Sequence, residues 1–156
     1  MRARTIAPIL IAVLALVAAG CSSGDEGTTS GSGGGTQIDV TLKEYSIALA
    51  QSSAPAGDVT FAVTNDGPDA VHEFVMLATD LALDALPTNP DGSVSEEGEG
   101  ITPVDEIEDI AVGDTATLTV SLAAGSYVFV CNIVGDVGGE TVSHYQQGMR
   151  ASFTVE

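Results

Sequence analysis

The run TATLTVSL, Thr115–Leu122, alternates apolar and polar residues without a break. Leu118, Val120 and Leu122 share one side, and Thr117, Thr119 and Ser121 share the other. Successive side chains point to opposite faces in an extended strand, so this period of two predicts a sheet with one buried face. The period recurs along the chain. QIDVTL groups Ile38, Val40 and Leu42, and EYSIAL groups Tyr45, Ile47 and Leu49. VTFAVTN does the same for Val59, Phe61 and Val63, and RASFTVE for Ala151, Phe153 and Val155. Two other runs, VHEFVML and SYVFVCNI, are apolar almost throughout, which is the pattern of a buried strand. Turn-forming stretches (SSAPAGD, NDGPD, AAG) lie between the runs. Short strands at this spacing predict an all-β sandwich.

One segment departs from the pattern. Residues 80–109, DLALDALPTNPDGSVSEEGEGITPVDEIED, carry three prolines and many acids. LALDAL suits a helical turn, SEEGEGITP is too acidic and glycine-rich to pack, and IEDIAV (Ile107–Val112) reads as a strand again. A long connection of this kind is commonly functional or mobile. Asp91, Glu96, Glu97 and Glu99 do not follow the spacing of a calcium loop, so the acid run reads as solvated surface.

The first residues do not read as part of the fold. Arg2 and Arg4 precede an apolar run, Ile6–Ala19, that is too short to span a bilayer but suits a secretory signal. The run ends in AAG before Cys21, which resembles the lipobox of bacterial lipoproteins, with Ala18 where leucine is more usual. That resemblance implies a signal peptide over residues 1–20 and a diacylglycerol on the Cys21 thiol. It places the protein on the outer face of the cell membrane, held there by lipid. Residues 22–36, SSGDEGTTSGSGGGT, read as a flexible tether with a reach of about 20 Å. The globular domain is then 37–156.

Losing the two signal arginines takes the formal charge from −18 to −20, with Lys43 and Arg150 facing 22 acids. Such a surface argues against nucleic-acid binding, which needs basic patches. It favours basic partners at low salt, and it also serves solubility or a salty environment. With Cys21 lipidated, Cys131 is left as a lone thiol outside the cytoplasm, open to oxidation unless buried or metal-bound.

Cys131 opens the stretch CNIVGDVGGETVSHYQQGM, which also contains His144 and Met149. The other histidine, His72, follows the turn NDGPDA. Two imidazoles, a thiolate and a thioether suit a copper ion that changes oxidation state, because the sulfur donors favour Cu(I) and imidazole accepts both states. Zinc with His72, Cys131, His144 and a carboxylate from Glu140 or Glu73 is an alternative use of the same residues. Cys131 with either histidine could form a thiol dyad, but a domain of this size leaves little room for a substrate cleft. There is no nucleotide-binding glycine pattern, because GDVGGE has no strand-to-helix context.

The segments TNDGPDAVHEFV and GSYVFVCNI…HYQQGMRASFTV resemble the cupredoxins of plastocyanin and azurin type. The resemblance implies a Greek-key cupredoxin-like β-sandwich over residues 37–156. It implies one type 1 copper ion, with His72 and His144 as imidazole ligands, Cys131 as the thiolate and Met149 as the axial thioether. It further implies a carrier and not an enzyme, moving single electrons between redox proteins outside the cytoplasm, with His144 nearest the surface. A copper-holding or delivery lipoprotein, and a metal-free interaction module, are the rival readings.

Two departures stand out. Twelve residues, Asn132–Ser143, separate Cys131 from His144, where familiar members have two to four. Lengthening a loop by that much costs about 1.2 kcal/mol in closure entropy. A bound metal contributes on the order of 10 kcal/mol, so GDVGGE can loop outward while both ends stay at the ion. The second departure is Glu73, at a position where asparagine is common. A carboxylate there either points away from the thiolate or changes the site.

Overall fold

The computed structural model describes residues 35–137 and 139–156, and they form strands and loops without a helix. The expected signal peptide, Cys21 and nearly all of the expected tether lie outside the described residues. Strands β1 (Thr36–Lys43), β2 (Ser46–Leu49), β4 (Gly57–Asn65) and β7 (Thr115–Leu122) make one sheet in the order β2-β1-β4-β7. Strands β3 (Ser53–Ala54), β5 (His72–Ala78), β6 (Thr102–Ile110), β8 (Gly125–Val130) and β11 (Arg150–Val155) make a second, ordered β3-β11-β8-β5-β6. The chain passes between sheets after β2, β3, β4, β6 and β7, the crossing connections of a Greek-key sandwich. β1 runs parallel to β4, so the first sheet is mixed. A small hairpin, β9 (Val134–Val137) with β10 (Glu140–Ser143), stands apart from both sheets.

The alternation seen in the sequence decides which face is buried. In β4, Val59, Phe61 and Val63 are each 0% exposed. On the opposite face, Thr60 and Thr64 share hydroxyl hydrogen bonds with Thr119 and Thr115 of β7. Phe61 meets Phe74 of β5, Phe129 of β8 and Phe153 of β11 at centroid separations of 5.8, 5.0 and 5.5 Å. One ring from the first sheet thus packs on three from the second. Each buried ring contributes roughly 1.5–3 kcal/mol by leaving water.

The two uninterrupted apolar runs have a separate cause. β5 and β8 are central in their sheet and covered on both faces. Phe74, Met76 and Phe129 enter the inter-sheet core, while Val75, Leu77, Val128 and Val130 form a second cluster with Leu86, Val94 and Tyr145. The long segment after β5 supplies Leu86 and Val94 and covers that outer face. Tyr145 is fastened to it by donating its hydroxyl to the Leu83 carbonyl at 2.8 Å.

Three sequence expectations for this segment change. LALDAL makes one tight turn, with the Ala85 amide on the Ala82 carbonyl at 2.9 Å. SEEGEGITP does pack in part: Ile101 rests against the second cluster, and Glu96 accepts a hydrogen bond from Asn132. The strand expected at Ile107–Val112 starts earlier and stops at Ile110. Among the described residues, no helix is long and apolar enough to cross a membrane.

Candidate metal centre

The end of β4 and the start of β5 are joined by a turn that Asn65 holds from inside. Asn65 is 0% exposed, and its Nδ2 donates to the carbonyls of Ala70 and Ile110 at 2.9 and 2.8 Å. Its Oδ1 accepts the Gly67 amide at 2.8 Å. Gly67 has φ +61°, and a Cβ there would meet Val112 Cγ1 at 2.7 Å, so both the conformation and the space call for glycine. This turn delivers His72, the first residue of β5, to one end of the sandwich.

Cys131 lies one residue past β8 at the same end. The Cys131 amide donates to the Met149 carbonyl, the Met149 amide to the His144 carbonyl, and the His144 amide to the Ile133 carbonyl, at 2.9–3.1 Å. The inserted residues therefore do not separate Cys131 from His144. Val134 pairs with Ser143 at the base of the β9–β10 hairpin, and the extra chain length runs out along it. Glu140 pairs with Val137 at the far end and is not among the converging donors.

The acidic segment braces this loop. Asn132 Oδ1 accepts the Val94 amide, and Asn132 Nδ2 donates to the Val94 carbonyl and to Glu96 Oε1. Ser143 Oγ donates to the Gly92 carbonyl at 2.7 Å. Residues within and at the end of the ligand loop are thus tied to that segment. Asp91, considered above for calcium, instead accepts hydrogen bonds from Ser93.

His72, Cys131 and His144 form the single group of three clustered metal-donor side chains among the described residues. His72 Nδ1 lies 3.3 Å from His144 Nδ1 and 3.8 Å from Cys131 Sγ, and His144 Nδ1 lies 3.2 Å from Cys131 Sγ. Three points at these separations lie on a circle of radius about 2.0 Å. Metal–imidazole bonds run about 2.0–2.1 Å and metal–thiolate bonds about 2.3 Å, so the donors fit a single ion. The three residues are 0%, 0% and 4% exposed, in that order, and Met149 beside them is 0% exposed.

Burial pushes the Cys131 thiol up to about 11, with the nearby Glu73 charge adding to it and the amides of Glu73 and Ile133 opposing it. Burial also lowers both histidines, so each presents a neutral ring with a free lone pair. The Tyr45 ring meets His144 edge-on at 5.0 Å.

Glu73 does not point away from the thiolate's strand. Its Oε1 accepts the amide of Asn132, the residue after Cys131, at 2.6 Å. The Glu73 amide in turn approaches Cys131 Sγ at 3.5 Å. Burial raises the Glu73 carboxyl to about 7, the Asn132 amide opposes the rise, and the charges of Glu96, Glu106 and Glu108 add to it. The side chain thus takes a structural hydrogen bond that a neutral amide oxygen could also accept.

Glu44 was not singled out by the sequence. It precedes β2, and its Oε1 accepts the amides of Asp69 and Ala70 at 3.1 and 2.5 Å. The same oxygen lies 3.5 Å from His72 Nε2.

No protein-family model and no curated protein matches the chain. Solved structures do. Auracyanin from Roseiflexus castenholzii is 22% identical with a TM-score of 0.54, covering 79% of this chain and 99% of that one. Auracyanin B is 20% identical with a TM-score of 0.51, covering 78% and 88%. Rusticyanin from Thiobacillus ferrooxidans is 17% identical with a TM-score of 0.53, covering 79% of each chain. The chain has the fold of the cupredoxins, with a His–Cys–His donor cluster and a buried methionine beside it.

Proposed function

We propose that this protein is a type 1 copper protein that carries single electrons between redox partners outside the cytoplasm, attached to the cell membrane through lipid on Cys21. The observation that carries the reading is the buried triangle of His72 Nδ1, His144 Nδ1 and Cys131 Sγ, sized for one ion. A trigonal His₂Cys set with a weak methionine is the donor pattern of electron-transfer copper, which supplies a one-electron couple. Rusticyanin, one of the structures with this fold, is a copper protein.

His72, Cys131 and His144 would hold the ion, and the buried Met149 beside them would offer a weak thioether donor. The Glu73 amide disperses part of the sulfur's negative charge. The rings of the core and the braced loop exclude water and limit movement of the donors. That favours fast transfer, because little rearranges when the charge changes. His144, the less buried imidazole, with the Tyr45 ring beside it, would be the route to a partner. The acidic surface suits a basic partner, whose transfer rate falls as salt rises.

Protein-film voltammetry of the copper-loaded protein tests carriage against mere holding. A carrier gives a reversible one-electron wave that persists at fast scan rates. A protein that only stores or delivers copper gives a sluggish or irreversible wave and releases the ion on reduction.

A further inference from the structure

We propose that Glu44 is a positioning residue for the metal centre: it fixes the ring proton of His72 on Nε2 and so presents Nδ1 to the ion. The inference rests on the copper reading above. His72 is 0% exposed, and its two ring nitrogens face different surroundings. Nδ1 belongs to the donor triangle with His144 and Cys131. Nε2 is buried without a hydrogen-bond partner, and Glu44 Oε1 lies 3.5 Å from it. The other carboxylate oxygen, Glu44 Oε2, is also buried without a partner.

Interiors seldom leave polar atoms in this state, and here two of them lie on neighbouring groups. The 3.5 Å gap is a few tenths of an ångström longer than an ordinary N–H···O bond, so a small ring rotation closes it.

A neutral imidazole carries one proton, and its place decides what each nitrogen can do. A proton on Nδ1 would point into the donor triangle and leave the Nε2 lone pair against a carboxylate. Two acceptors would then face each other in a dry interior. A proton on Nε2 faces the carboxylate as a donor and leaves the Nδ1 lone pair directed at the ion. The carboxylate therefore selects the tautomer that binds metal. It also makes His72 a stronger donor, as carboxylate partners of ligating histidines do.

Glu44 is itself fixed to the turn that carries His72. It accepts the amides of Asp69 and Ala70, three and two residues before the ligand. The same turn is held from its other side by Asn65, through the Ala70 carbonyl and the Gly67 amide. The carboxylate is therefore fixed to the turn that carries the ring. A negative group beside His72 also favours the more highly charged state of the ion, so Glu44 lowers the reduction potential of the centre.

The test uses the full chain with ¹⁵N-labelled histidine, as wild type, Glu44→Ala and Glu44→Gln. In the metal-free wild type, two-bond ¹⁵N–¹H correlations are expected to show the His72 proton on Nε2. In Glu44→Ala the proton redistributes between the nitrogens, and affinity for Cu(II) and for Zn(II) falls about 10- to 100-fold. Glu44→Gln keeps a neutral acceptor and the Nε2–H tautomer, but its copper potential rises. An unchanged tautomer in Glu44→Ala, with metal affinity within about twofold of wild type, would overturn the assignment. If Glu44→Ala does not fold, the metal-free wild type decides: a His72 proton found on Nδ1 would overturn the assignment. The tautomer needs no metal, so its failure leaves the copper reading standing. A wild type that binds Zn(II) but not copper would instead defeat the copper reading and leave the tautomer assignment in place.

Discussion

Replacing Asn65 by alanine tests how the turn before His72 is held. The side chain makes three hydrogen bonds, to the Ala70 and Ile110 carbonyls and from the Gly67 amide. Those to Ile110 and Gly67 are fully buried, so both partners would lose their bond with no water to replace it. A buried polar group left unpaired costs about 1–3 kcal/mol, and two give a loss of about 2–6 kcal/mol. The Ala70 carbonyl is only partly buried and recovers most of its bond from water. Urea denaturation of the metal-free protein at fixed pH reads this as a lower midpoint at unchanged slope. Thr60→Ala is the control, because its hydroxyl pair with Thr119 is exposed. It is expected to cost less than about 0.5 kcal/mol. Because the turn positions His72, Asn65→Ala also weakens metal binding. A loss below about 1 kcal/mol, or one no larger than that of Thr60→Ala, would refute the assignment of Asn65 as the internal brace.

Other expectations follow from the same geometry. The Cys131 thiol, raised to about 11, is protonated at neutral pH and must give up its proton to a metal, whereas both histidines are already neutral. Apparent affinity should therefore rise about tenfold per pH unit between pH 7 and 9 in competition titrations; a flat profile would contradict this. The Glu73 carboxyl, raised to about 7 from 4.5, adds stability that is full below about pH 4.5 and is lost as pH climbs to about 7. Glu73→Gln should accordingly gain on wild type over that window in metal-free denaturation series, and a constant difference would show that Glu73 is not desolvated. Phe129→Ala removes the ring that meets Phe61, Phe74 and Phe153, and should cost about 3–5 kcal/mol by the same assay. A cost near 1 kcal/mol would mean that the site collapses freely.

The inward faces of β1, β4 and β7 were legible because alternation is a local pattern that solvent enforces on one face of a sheet. Val75, Leu77, Val128 and Val130 showed only that β5 and β8 are buried; that the segment containing Leu86 and Val94 covers them depends on contacts with no local signature. This is also why SEEGEGITP was misread. Its composition is that of a solvated loop, yet Glu96 and Ile101 are held by residues distant in sequence. β3 is two residues long and exists because Ser53 and Ala54 pair with β11, so no pattern within SSAPAGD could reveal it.

The donor set stood out because His72, Cys131, His144 and Met149 are scarce residue types in a familiar order. The structure brings His72, Cys131 and His144 to one point and keeps Met149 beside them. Their supports were not legible. Glu44 lies 28 positions before His72 in the chain, and Asn132 reaches Val94 and Glu96 across 38 and 36 positions. An acid next to Tyr45 and an asparagine after a cysteine carry no spacing signal of their own. The insertion was read correctly as an outward loop, but its hairpin pairing was not, since VGDV and ETVS are too short for alternation to speak.

The most direct test of the account is a Cu(II) titration of the protein followed by visible absorption, beside Cys131→Ser. The account predicts an intense thiolate-to-copper band that saturates at one equivalent and is absent from Cys131→Ser. Weak absorption alone, or a band that survives the loss of the thiol, would contradict it.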